Sequence, residues 1–177
     1  MLEEEGFQRN ICQKNITYLA EQFIHYPLID NLLLNSVDCS LLQLLQTETG
    51  MINCDGIGVT KYSMQRLVSI YLIHQILFSK DTTILLIAQT KHIARKELET
   101  LYFPMNHLGL SFLPEIEVKY TGCLKLSNNV CIRSFGINDE IPAWETKKVV
   151  VISYNLSGIP TQLHGRKWIQ VAGALGI

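Results

Sequence analysis

Hydrophobic positions change their period near residue 50. Upstream they recur at helical spacing: Ile16, Leu19, Ala20, Phe23 and Ile24 share one face, and Pro27 ends that segment. Leu28, Ile29, Leu32, Leu33 and Leu34 predict a second, short helix, and Leu41, Leu42, Leu44 and Leu45 a third. Downstream, short apolar runs alternate with helical ones. Met51 to Cys54 reads as a strand. Lys61 to Ser79 reads as a helix apolar on nearly every side, which predicts burial against a sheet. Thr82 to Ala88 is a continuous apolar run, of the kind buried on both faces of a parallel sheet.

Thr90 stands where an N-cap belongs, before a helix expected to reach about Tyr102 and stop ahead of Pro104. Glu115–Tyr120, Cys123–Leu126 and Val130–Phe135 read as short strands, the last two joined at Ser127, Asn128 and Asn129 as a hairpin. Val149–Ile152 and Trp168–Ala172 complete the strands. Strands separated by helices, with an antiparallel pair among them, predict an α/β fold: a mostly parallel sheet flanked by helices, with a small antiparallel insert. The expected organisation is one domain, with residues 1–48 as a helical N-terminal segment packed on a core of residues 49–177.

Composition narrows the function classes. A net charge of −1 over 177 residues argues against a broad basic surface for nucleic acid. The longest apolar run, Leu67 to Phe78, is too short to span a bilayer and is interrupted by His74 and Gln75. The acidic start, Leu2-Glu3-Glu4-Glu5, is unlike a signal peptide, so a cytoplasmic, non-secreted chain is expected. Five cysteines with no C-x-x-C pair read as free thiols in a reducing compartment, not as a zinc site.

The chemistry centres on Met51-Ile52-Asn53-Cys54-Asp55-Gly56-Ile57-Gly58-Val59-Thr60. A strand, a Gly-x-Gly turn and a helix start form the layout in which backbone N–H groups cradle a phosphate. Against the spacing G-x-x-x-x-G-K-[S/T], Asn53 takes the first glycine's place, Gly58 the second, Val59 the lysine's and Thr60 the hydroxyl's. The cradle keeps its shape and lacks its cation. Lys61 follows, but on a helix it points roughly a hundred degrees away, and Asp55 would repel a triphosphate. Elsewhere Lys91, His92, Arg95 and Lys96 form a small basic cluster diluted by Glu97 and Glu99, read first as a solvated face. His74, in an apolar helix, reads as a core histidine, and Lys147, Lys148, Arg166 and Lys167 as charges flanking strands.

In the order of these elements the chain resembles the N-terminal ATPase domain of the large terminase subunit, the motor that packages DNA into viral proheads. The resemblance runs from about residue 40 to 177 and is strongest over IYLIHQILFSKDTTILLIAQTKHIARKELE, with NNVCIRSFGIND, KKVVVISYN and GRKWIQVAGALG in matching order. It implies a P-loop NTPase (RecA-like) core. It also implies ATP and Mg²⁺ as cofactors, and double-stranded DNA, a portal or other terminase subunits as partners. Gln43 or Gln46 stands where the family places an adenine-contacting glutamine. Asp55, Gly56, Gly58, Val59 and Thr60 form the phosphate loop, with Thr60 the residue that would meet Mg²⁺. Ser153 and Tyr154 stand where the family carries its metal-binding aspartate and catalytic glutamate, and Ala172-Gly173-Ala174 where it carries coupling hydroxyls.

The departures therefore all fall on the chemistry. Phosphoryl transfer needs a cation on the phosphates, a held Mg²⁺ and a group orienting water. The expectation is a terminase-like ATPase domain with an impaired or lost hydrolysis site. The alternatives are an inactive binding or assembly module on the same fold, and a helicase-like NTPase with an unusual loop.

Overall fold

The computed structural model describes residues 2–24, 34–54, 61–141, 148–154, 156, 163 and 166–171. Its centre is a seven-stranded sheet in the order β1-β7-β6-β2-β5-β4-β3. The strands are β1 (Met51–Asn53), β2 (Thr82–Ala88), β3 (Ile116–Tyr120), β4 (Cys123–Leu126), β5 (Val130–Gly136), β6 (Lys148–Tyr154) and β7 (Lys167–Val171). β1, β7, β6, β2 and β5 run parallel, while β4 pairs antiparallel with β5 and β3 with β4. The expected α/β architecture is the one observed. One detail differs: β5 is both the second arm of the predicted hairpin and a core parallel strand beside β2, so the antiparallel pair extends the sheet.

β2 lies in the middle and is buried along its whole length. Ile84, Leu86 and Ala88 enter a large core on one face, and Leu85 and Ile87 a smaller one on the other. The large core also holds apolar side chains of α4 (Lys61–Phe78) and of α1 (Leu2–Lys14), α2 (Ile16–Phe23) and α3 (Ser36–Thr47). That explains why α4 is apolar on nearly every side: the sheet covers one flank and the N-terminal helices another. The predicted helix over Leu28 to Leu34 falls mostly outside the described residues.

Local signals set the boundaries. Asn15 caps α2 by accepting from the Tyr18 N–H, and Asn35 and Asp38 form a capping box on α3. Thr90 caps α5 (Lys91–Glu99), as its position predicts. The expected run to Tyr102 is broken instead into α5 and a short α6 (Tyr102–Asn106). Pro104 does not stop this helix but lies inside its first turn, where a missing N–H leaves no bond unmade. The β4–β5 turn is also a staple: the Asn128 amide donates to Ile76 O at 2.6 Å and Ser79 O at 3.0 Å, capping the end of α4.

Candidate functional site

Parallel strands gather their carboxyl ends on one rim, where ligands of open α/β sheets bind. β1 ends there, and the Cys54 N–H donates to Gln170 O of β7 at 3.0 Å. Asp55, Gly56, Gly58, Val59 and Thr60, which the sequence predicts to form a phosphate loop, follow and lie outside the described residues, as does Ala172-Gly173-Ala174. Helix α4 opens at Lys61, so a strand end and a helix start flank the loop. Two strand spacings from β1, roughly 10 Å, β6 ends in Ser153 and Tyr154.

Those two side chains point to opposite faces. Ser153 is fully buried, and its hydroxyl accepts from the Trp168 indole N–H at 2.7 Å. Tyr154 turns into the large core against α4. Burial, and then the nearby charge of Glu97, hold its phenol well above its ordinary pKa. Mg²⁺ is held through oxygen ligands, usually one or two carboxylates. Ser153 and Tyr154 supply none, so the end of β6 does not fit the ion.

A carboxylate does reach this region, from a helix. Glu97 of α5 is 3% exposed, and the Gln65 amide donates to its Oε1 at 3.3 Å. Reading Glu97 as a surface acid was incorrect. The signal was its spacing from Ala94 and Leu98, which are buried on the same face of α5. Of the basic cluster, Lys91, His92 and Lys96 are exposed, and Lys91 Nζ lies 3.9 Å from Asp139 Oδ2. A Cβ on Gly136 would stand 3.0 Å from the Lys91 backbone nitrogen, so glycine there lets α5 start close against β5.

Gln46 lies at the other rim, where the parallel strands begin, and Gln43 is exposed on α3. The Gln46 amide donates to Gln13 O at 2.9 Å, and His74 Nε2 lies 3.0 Å from the same oxygen. A carbonyl only accepts, so the neutral ring carries its proton on Nε2. Burial foremost, and then the charges of Lys148 and Lys167, lower the His74 pKa to about 4, against a partial offset from the Gln13 carbonyl. His74 is the core histidine its apolar helix predicts.

No protein-family model matches the chain, and no curated protein matches it. Among solved structures it is similar to the crystal structure of the HK97 bacteriophage large terminase, with a TM-score of 0.67 and 14% identity. The fold is terminase-like. The match covers 91% of this chain and 37% of that terminase, so the chain spans well under half its length. At this identity the likeness is one of architecture. Among the described residues, no helix is long and apolar enough to cross a membrane, and no group of His, Cys, Asp and Glu could hold a metal ion.

Proposed function

We propose that the chain is a terminase-like ATPase-fold module of viral DNA packaging whose ATP hydrolysis is lost, and which acts by binding. Its partners in this reading are double-stranded DNA, a portal or other terminase subunits, and its place is the host cytoplasm. The observation that carries the reading is the end of β6: on a terminase-like fold, Ser153 is fully buried with its hydroxyl engaged by Trp168, and Tyr154 is sealed in the core. Charges aimed at a transferring phosphoryl group are worth several kcal/mol each. Losing the loop cation and two carboxylates together removes many orders of magnitude in rate.

The test is Mg²⁺-dependent phosphate release by the purified chain, with and without duplex DNA. The expected result is no turnover above background and triphosphate binding no tighter than about millimolar, or about −4 kcal/mol. Val59→Lys should tighten nucleotide binding without turnover. Steady hydrolysis at roughly 1 s⁻¹ by the unmodified chain would overturn the proposal. Glu97 favours one second reading, a helicase-like NTPase with an unusual loop, because it brings a buried carboxylate near Tyr154. In that case Glu97→Gln would abolish the turnover.

A further inference from the structure

Toward the β3 edge of the sheet, Cys123 of β4 and Cys131 of β5 approach one another with Sγ atoms 3.9 Å apart. The strand register puts them there. β4 and β5 pair Cys123 with Arg133 and Lys125 with Cys131, so the two cysteines share one face of the sheet at diagonal positions. Between them runs the turn whose Asn128 amide caps the end of α4. Both are free thiols.

Their surroundings differ. Cys123 is 4% exposed, while Cys131 is half-buried, so an incoming reagent meets Cys131 first. The Arg133 guanidinium lies within hydrogen-bonding reach of both sulfurs, and the Tyr120 hydroxyl within reach of Cys123. A cation so placed favours the thiolate, the form that attacks a disulfide. Lys125, directly opposite Cys131, is paired instead with Glu117 at 3.0 Å. Burial foremost, and then Cys123, push the Cys131 thiol up, and Arg133 offsets part of that rise. The pair therefore rests as thiols and needs an oxidant to close.

We propose that Cys123 and Cys131 form a reversible redox modification site, entered at Cys131 and resolved by Cys123, with a small disulfide of the glutathione class as the oxidant. The Cys131 thiolate attacks one sulfur of oxidised glutathione. That S–S bond breaks, and one glutathione leaves as a thiolate and takes up a proton, with a mixed disulfide left on Cys131. Cys123, as its thiolate, then attacks the Cys131 sulfur, and the second glutathione leaves in the same way. The two protein thiols lose two electrons and two protons, and oxidised glutathione becomes two thiols. Closing the sulfurs from 3.9 Å to a bond of about 2.05 Å requires rotation of the two side chains. The product is a staple across the β4–β5 hairpin.

The test is incubation of the full chain in glutathione buffers of increasing oxidised fraction, with remaining thiols trapped by an alkylating reagent and read by peptide mass spectrometry. The expected product is a linked Cys123–Cys131 peptide, two hydrogens lighter and reversed by excess reduced glutathione, with no lasting glutathione on either residue. Cys54, 3% exposed, is as buried as Cys123 and serves as the internal control: it should stay a free thiol. Both readouts come from the unmodified chain, so no variant has to fold. Cys123→Ser should instead accumulate one glutathione on Cys131. Cys131→Ser should slow modification of Cys123 at least about tenfold, because the accessible thiol is gone. Thiols at 123 and 131 that stay reduced in fully oxidised buffer would overturn the proposal, as would a glutathione adduct that persists on Cys131 of the unmodified chain. Oxidation of Cys54 as fast as Cys123 would also overturn it, by showing that opening of the fold, not the neighbouring sulfur, exposes the buried thiols.

Discussion

The indole N–H of Trp168 and the hydroxyl of Ser153 meet at 2.7 Å, tying β7 to β6 near the carboxyl end of the parallel strands. Ser153→Ala leaves the indole without its acceptor. Because Trp168 is half-buried, the cost should be about 1 kcal/mol, the low end for an unmade bond. Ser153→Asp carries a charge into a fully buried position. It should destabilise by more than alanine and produce no Mg²⁺-dependent hydrolysis. Urea unfolding of both variants, with a phosphate-release assay, checks this. A stable, hydrolysing aspartate variant would show that the site has room for the ion.

Leu72 of α4 and Leu86 of β2 meet in one core, 1% and 0% exposed. Truncating either to alanine should cost about 2–5 kcal/mol. The same denaturation experiment reads it, and a change near zero would contradict the burial of that position.

His74 makes stability depend on pH. Its pKa falls from 6.5 when unfolded to about 4 when folded, so between those values the unfolded chain binds more protons. Stability should therefore be unaffected above about pH 6.5 and fall as pH drops toward 4. The loss approaches about 3 kcal/mol at 1.36 kcal/mol per unit. His74→Leu should remove this component, so wild type and variant should diverge between pH 7 and pH 5. Parallel curves would show that the ring is not buried in neutral form.

Cys123 and Cys131 lie with Sγ atoms 3.9 Å apart at diagonal positions of β4 and β5. Diamide should oxidise the pair to a disulfide, taking up the two thiol hydrogens, and intact-mass analysis should show the loss of two hydrogens per chain. Cys131→Ser should prevent it. Wild-type thiols that stay reduced would show that the strand pairing holds the two backbones too far apart for the bond.

The sequence by itself determined the element order and the sheet's identity. The unbroken apolar run of β2 and the all-round apolar α4 leave no arrangement except burial on both sides, and those patterns are local. That Val59, Ser153 and Tyr154 carry no charge was equally legible, because the absence of a charge is visible without coordinates. Only the tertiary structure decided which polar groups meet at the end of β6. That Ser153 is engaged by Trp168, that Glu97 turns inward against Gln65, and that Pro104 sits in a helix's first turn instead of ending one each depend on which face a neighbour covers. Lys148 and Lys167 make the same point. Each reads as a charge flanking a strand, and only the parallel pairing of β6 with β7 puts them at one cavity. Local periodicity reports which residues are apolar. Register and layer packing, which join residues far apart in the chain, decide which polar groups meet.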